Sequence, residues 1–451
     1  MKRHSVICRL GVDDTVRVAT LQADSTVTVI NIVDTYHRLS YGLGQALDQL
    51  HRLALRPSER AVDLAVIAAL VFAADTRIVR AADGQDGWTR EIDLYVPVSE
   101  PDLWRTTAPR LEQMLRFLTG DRWRFIFRAR IARHRSFIQA PDKLRLDDYT
   151  CVSLFSGGLD SFIGAVDLLA DGAKPLLVSH YWDGITSAAQ QYCLDILTKR
   201  FPNYPPKSLR VRTGFSANLI EGVEPSQRAR SFLFFALAVL PASAFPDGID
   251  IIVPENGLIA LNVPLDVLRL GALSTRTTHP FYMASWNALL TELGVRAQLV
   301  NPYRYLTKGE MARECRDAKF LKKYAAITMS CSSPAKARWN STEPMHCGFC
   351  VPCLIRRASL VAAFKSDETP YTIDDLATAD LDSSKASGEH VRSFQVALAR
   401  LKAKPALAKF WIHKPGPLPP DQDELAKYEG VYRRGMAEVG TILKGVTAKP
   451  R

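Results

Sequence analysis

Apolar positions along the chain fall into two rhythms. In residues 1–148, short apolar runs at 5–10, 15–19, 27–33 and 90–98 predict strands, and residues 61–74, apolar on most sides, predict a buried helix. Pro101 opens an amphipathic helix to about residue 118, with Leu103, Leu111, Leu115 and Leu118 toward the core. From residue 149 to about 303 strand and helix alternate, with strands predicted at 151–155, 174–181, 208–212, 249–254 and 297–301. That alternation predicts an α/β fold with a doubly wound parallel sheet, in which ligands sit at the carboxyl ends of the strands. Beyond residue 369 the pattern is helical, broken at Pro415-Gly416-Pro417-Leu418-Pro419-Pro420. A last helix covers 421–443, and a basic end at 444–451 is expected to fray. The expected organisation is an N-terminal mixed α/β domain (1–148), an α/β domain (149–325), a cysteine-bearing module (326–370) and C-terminal helices (371–451).

One predicted strand carries unusual charge. Between Arg122 and Ile131, alternation places Arg122, Arg124, Arg128 and Arg130 on one face, with Trp123, Phe125, Phe127 and Ile131 on the other. Such a face suits RNA or an acidic partner, but a half-buried strand with a solvated arginine side is the better reading, because the aromatics face away from the arginines. The net charge of +11 favours anionic partners, nucleotides first. The apolar helices at 61–74 and 232–245 are too short to span a bilayer, and Arg9, Asp13 and Asp14 interrupt any N-terminal signal region, so a cytoplasmic location is expected.

The most specific chemistry is a loop. The run 152–155 leads into Ser156-Gly157-Gly158-Leu159-Asp160-Ser161, and a helical pattern follows with Phe162, Val166 and Leu169 on one face and Gly172 as its stop. Adjacent glycines let backbone N–H groups approach a phosphate, the helix N-terminus adds its dipole, and two serines add hydroxyls. An aspartate beside a polyphosphate calls for a divalent cation between them, hence Mg²⁺. No G-x-x-x-x-G-K-[ST] loop occurs in the chain.

A second signal is Cys331 followed by Cys347-Gly348-Phe349-Cys350-Val351-Pro352-Cys353. Four thiolates at this spacing suit a closed tetrahedral Zn²⁺ site with a structural role. An iron–sulfur cluster, a pair of disulfides, or His346 in place of Cys331 are the alternatives. Cys8, Cys151, Cys193 and Cys315 are scattered singly and read as core thiols.

The loop resembles the pyrophosphate loop (PP-loop) of ATP pyrophosphatases, which cleave ATP between the α and β phosphates and leave AMP on the substrate. With Cys331, the Cys-Gly-x-Cys-x-x-Cys triplet and Arg356, it resembles the 7-cyano-7-deazaguanine synthase (QueC) family over about residues 150–365. The chain departs from that family in three ways. The gap from Cys331 to Cys347 is longer, the first 148 residues have no counterpart, and His180-Tyr181-Trp182-Asp183 replaces the usual Tyr-Gly-Gln-Arg-His segment. The extended architecture is more similar to the QueC-like proteins of bacterial anti-phage defence, such as QatC of the Qat system. The resemblance implies ATP, Mg²⁺ and Zn²⁺, adenylation of a carboxylate such as 7-carboxy-7-deazaguanine, and amide or nitrile formation. It also implies a protein partner from a defence operon as amine acceptor.

Several other positions are candidates for the same site. Arg228 and Arg230 open the helix that ends near residue 245, and a guanidinium there suits the leaving pyrophosphate. Glu255 and Asn256, with Asn262, follow a predicted strand and suit a guanine-like edge, although Asn-Gly is also a common turn. Ser274-Thr275-Arg276-Thr277-Thr278-His279-Pro280 begins a helix, with Arg276 and His279 suited to AMP or a carboxylate. Thr307-Lys308-Gly309-Glu310 reads as a capping box that leaves Lys308 free to meet phosphate. The expected catalytic set is Asp160, Lys308 and Arg230. Two rival readings are a tRNA sulfurtransferase of the PP-loop class and a non-catalytic nucleotide-sensing subunit.

Overall fold

Parallel strands dominate both halves of the larger part of the chain. The computed structural model describes residues 2–140, 142, 148–216, 222–266, 276–332 and 343–450. In the N-terminal sheet, β1 (Arg3–Arg9), β2 (Thr26–Asn31), β3 (Glu91–Val98) and β4 (Arg122–Ala129) are all parallel in the order β2-β1-β3-β4. Helices α1 (Leu43–Arg52), α2 (Glu59–Arg77) and α3 (Arg80–Asp83) lead from β2 to β3, and α4 (Pro101–Thr119) leads from β3 to β4. Ser58 caps α2 by accepting a bond from Ala61 N, and every residue from 61 to 75 is buried, which is why the stretch is apolar on every side except at Asp63 and Asp75.

The run at 15–19 is not a strand. Both edges of β1 are already taken by β2 and β3, so no adjacent edge remains for it. The segment instead curls back on side chains: the Asp14 carboxylate accepts from Leu10 N, and Arg9 donates to the Asp14 and Val16 carbonyls.

The arginine face of β4 is paired. In register across the sheet, Arg122 meets Glu91 and Arg124 meets Asp93. Arg128 pairs with Asp14, and Arg130 with Asp63 and Glu59. Trp123, Phe125 and Phe127 are buried on the opposite face. The half-buried strand reading therefore accounts for these arginines.

The second sheet is built from β5 (Cys151–Leu154), α5 (Leu159–Ala170), β6 (Pro175–Tyr181), α6 (Gly184–Arg200), β7 (Lys207–Arg212), α7 (Arg230–Ala242), β8 (Ile249–Ile252), α8 (Gly257–Leu261), α9 (Pro280–Glu292) and β9 (Ala297–Val300). Its five strands are parallel in the order β7-β6-β5-β8-β9. The order reverses between β5 and β8, and a crevice opens at such a switch point beyond the carboxyl ends of the strands.

One hydrophobic core runs through both sheets, with α2 packed on α7. A buried ionic cluster reinforces that junction. Arg90 donates to Asp75 and Asp121, each at 2.7 Å, Arg80 joins the same two carboxylates, and Asp75 also accepts from Ala229 N at the start of α7. The residues expected as two domains thus share one interior.

Helices α10 (Lys308–Glu314) and α11 (Ala318–Tyr324) share a core with α5 and α6, and a further core gathers α12 (Val351–Phe364), β10 (Leu381–Asp382), α13 (Ala386–Ala403), α14 (Ala408–Trp411), α15 (Gln422–Ile442) and β11 (Ala448–Lys449). Helix α12 packs against both α10 and α15, and Leu258 and Leu261 of α8 enter the same core. The chain end does not fray as expected. Through Lys449 it forms β11, which pairs parallel with β10, with Ala448 buried and Ser383 N donating to the Lys449 carbonyl at 2.9 Å. No helix among the described residues is long and apolar enough to cross a membrane.

Candidate functional site

The loop after β5 occupies the switch point. Gly157 takes φ +79°, a left-handed conformation that a side chain would strain, and this turns the chain into α5. Helix α5 can lie close to the end of β8 because Gly164 has no side chain; a Cβ there would come 2.5 Å from Pro254. Within the loop, Ser156 Oγ is 3.2 Å from Ser161 Oγ and accepts from Gly158 N.

The loop borders a cavity of about 800 Å³. Ser156, Asp160, Ser161, Arg230, Glu255 and Lys308 all contribute to its wall. The N-terminus of α6 also opens into it, capped by Asp183, whose carboxylate accepts from Thr186 N at 2.8 Å. Residues from the first turns of α5, α7 and α10 line it as well, and helix N-termini favour anions.

Asp160 is held from two sides. Its Oδ2 accepts from Asn256 N and Asn256 Nδ2, at 3.2 and 2.7 Å, and its Oδ1 faces Lys308 Nζ at 3.1 Å. Lys308 is the first residue of α10, and its direction is set by a full capping box between Thr307 and Glu310. Arg230 opens α7 with its guanidinium 5.0 Å from the Trp182 ring centroid. Burial lowers its pKa, and Asp183 opposes the shift. Glu255 is pushed up to about 7 by burial; Asp160 raises it further, while the Thr278 hydroxyl and Lys308 pull it down.

The other sequence candidates lie elsewhere. Asn256 orients Asp160 and caps α8 by accepting from Ile259 N, so it acts behind the cavity wall. Asn262 ends α8 in a left-handed conformation and lines a separate small recess with Leu258 and Phe394. Arg276 donates to the Phe117 carbonyl and packs over the Phe117 ring, with its pKa lowered by burial. His279 caps α9, also against Phe117, and burial with Arg276 nearby lowers it to about 3. Helix α4 supplies Phe117, so the N-terminal half draws both residues out of the cavity. Ser274 and Thr275 fall outside the described residues. Arg228 stacks on Trp88 and donates to the Thr119 carbonyl, away from the cavity.

The four cysteines come together. Cys331, Cys347, Cys350 and Cys353 place their Sγ atoms within 4.8 Å of one another, at 4.0 Å for Cys331 and Cys350 and 3.8 Å for Cys347 and Cys353. Zn–S bonds of about 2.3 Å set S···S edges of about 3.8 Å in a tetrahedron, so the set fits an ion such as Zn²⁺. The distances are far too long for disulfides. His346 is turned away from the set, its Nε2 accepting from Ser330 N. The other four thiols are buried, as expected for core cysteines, and burial raises Cys151 to about 11 and Cys193 to about 12.

No protein-family model, curated protein or solved structure matches the chain.

Residues 329–331 connect the two features. Met329 N donates to the Gly157 carbonyl at 2.8 Å, Ser330 Oγ accepts from Leu159 N at 3.2 Å, and Cys331 follows as the cluster's first thiolate. Arg356 of α12, wholly buried, donates to Thr328 Oγ1 and Ser330 Oγ. Sequence reasoning missed Ser330. Its signal was its place directly before Cys331, which any metal-held segment would fix beside the loop.

Proposed function

We propose that this chain is an ATP pyrophosphatase of the 7-cyano-7-deazaguanine synthase type that adenylates a carboxylate and passes the acyl group to an amine. The observation that carries the reading is the phosphate-loop cavity at the sheet's switch point, with Asp160, Lys308 and Arg230 on its wall. A carboxylate oxygen attacks the α-phosphorus of ATP, and pyrophosphate leaves. Backbone N–H groups at the start of α5, the Ser156 and Ser161 hydroxyls, Lys308 and Arg230 stabilise the departing charge. Bound Mg²⁺ would neutralise the phosphates, and the Asp160 carboxylate on the cavity wall would hold it. Displacement of AMP by an amine releases a proton, and we assign its acceptance to Glu255, a carboxyl on the same wall that burial pushes up to about 7.

The four-cysteine site has no open position once a tetrahedral ion is bound, which supports a structural role for Zn²⁺. By the sequence resemblance, the acid is 7-carboxy-7-deazaguanine and the chain serves anti-phage defence by modifying a protein partner. Mass spectrometry after incubation with ATP, Mg²⁺, this acid and either ammonia or candidate partner proteins tests the proposal. A free amide or nitrile, or a deazaguanine-sized mass gain on a partner, is the expected result. Absence of AMP would remove it and bring forward the sulfurtransferase and sensor readings.

A further inference from the structure

Helix α10 delivers Lys308 to the phosphate cavity, yet it has only seven residues, too few to be stable by itself. Its first turn is gripped from the C-terminal end of the chain. Arg434 and Glu438 stand one turn apart on the same face of α15. Arg434 donates to both Glu310 carboxylate oxygens, at 2.6 and 3.1 Å, and to the Tyr305 carbonyl at 2.8 Å. Glu438 reaches the residue just before the lysine: its Oε1 accepts from the Thr307 hydroxyl, 131 positions away in sequence. The same hydroxyl oxygen accepts from Glu310 N at 3.0 Å, so its one proton is committed to Glu438 and its rotation is fixed.

Gly309 makes this approach possible. A Cβ there would stand 2.5 Å from Glu438 Oε1 and 2.8 Å from the carboxyl carbon, so the missing side chain lets the carboxylate lie flush on the first turn of α10. The capping box accounts for Thr307 and Glu310, and the cavity for Lys308. Neither accounts for a half-buried carboxylate brought to this turn from α15. What the turn carries is exacting: Lys308 Nζ meets Asp160 Oδ1 at 3.1 Å, and a misplacement of about 1 Å in such a group lowers a rate by up to about a hundredfold. We infer that Glu438 is a positioning residue for Lys308, holding the first turn of α10 so that the ammonium stands where pyrophosphate forms. Glu438 itself does not line the cavity. On the adenylation reading, on which this assignment rests, the ammonium meets the pyrophosphate as it leaves.

Two measurements on the full chain separate the positioning from the reaction. The first is calorimetric titration with inorganic pyrophosphate and Mg²⁺ on the wild type, Glu438→Ala, Lys308→Met and the double variant. Glu438→Ala is expected to weaken binding about tenfold in the wild-type background and to have no effect in the Lys308→Met background. A carboxylate that only stabilised the fold would act equally in both. Glu438→Gln keeps an oxygen for the Thr307 hydroxyl and should bind as the wild type does. Gly309→Ala leaves every polar group in place but displaces the carboxylate; alanine suits a helical position, so this variant should fold and repeat the loss. Equal losses with and without Lys308, Glu438→Gln as weak as Glu438→Ala, or no pyrophosphate binding by the wild type would overturn the assignment. The second measurement is ATP–pyrophosphate exchange dependent on 7-carboxy-7-deazaguanine, in which Glu438→Ala should lower kcat and leave the KM for the acid unchanged. Coupled binding without exchange would keep the positioning and remove the adenylation reading. Exchange in which Glu438 and Lys308 act independently would keep adenylation and overturn the positioning.

Discussion

Lys308 Nζ and Asp160 Oδ1 meet at 3.1 Å, each side chain delivered by the first turn of a different helix and both nearly buried. The contact joins the loop after β5 to α10 across the switch point of the sheet. With Asn256 donating twice to the other Asp160 oxygen, the carboxylate is fixed before any nucleotide arrives. A cation and an anion side by side on one cavity wall suit a polyphosphate carrying its own divalent ion.

Lys308→Met is expected to lower the pyrophosphate-exchange rate by about 10²–10³, the usual effect of removing one donor to a developing anion. It also leaves Asp160 buried without its cation, at a cost of about 3–5 kcal/mol. Combining it with Asp160→Asn should restore much of the stability but none of the activity. Thermal unfolding and exchange measured on the two variants and the wild type check both halves.

Metal content is the second prediction. The purified protein should carry one Zn²⁺ per chain, and Cys353→Ser should lose it. Ser330 and Met329 bond the phosphate loop directly before Cys331, so metal loss should weaken ATP binding about tenfold or more as well as lower the unfolding temperature. Elemental analysis paired with nucleotide titration shows whether the two losses go together.

Glu255 sets a pH dependence. In the unfolded chain its carboxyl has the ordinary value of 4.5, whereas in the fold burial and Asp160 raise it to about 7 against the opposing pull of Thr278 and Lys308. The folded protein thus binds the extra proton between these values. This group's contribution to stability is complete below about pH 4.5 and is lost as the pH rises through 7. Glu255→Gln should flatten that part of the stability profile. If Glu255 takes the amine's proton, the rate of the amine step should rise through pH 7 in the wild type and lose that inflection in the variant.

The junction between the two halves is testable in the same way. Asp121→Ala leaves Arg80 and Arg90 to share the Asp75 carboxylate in a dry interior, an excess of buried positive charge that should cost about 3–5 kcal/mol. Because the core is continuous, residues 1–148 and the second sheet should unfold in one transition, detectable by denaturation with probes in each half.

The sequence carried the parts of this architecture that local pattern controls. Each strand of the second sheet lies within a residue or two of its apolar run, and the Gly157 turn and the Thr307 cap were legible in the residues themselves. What local pattern could not carry is competition for partners. The 15–19 run looks like a strand but has no free edge on β1, and the tail at 444–451 looks frayed but finds β10. Arg276 and His279 share their segment with residues near Glu255, yet Phe117, more than 150 positions away in sequence, draws them to the opposite side. The arginines of β4 met acids on β3, α2 and the Asp14 turn, distant contacts that alternation alone does not show.

A cavity that activates a carboxylate with ATP must also run that step in reverse. Exchange of labelled pyrophosphate into ATP, run with Mg²⁺ and 7-carboxy-7-deazaguanine on the wild-type protein and on Asp160→Ala, tests it most directly. The account predicts acid-dependent exchange by the wild type and a loss of about a hundredfold or more in the variant. Exchange equal in both proteins, or none in a wild-type protein that still binds ATP, would contradict it.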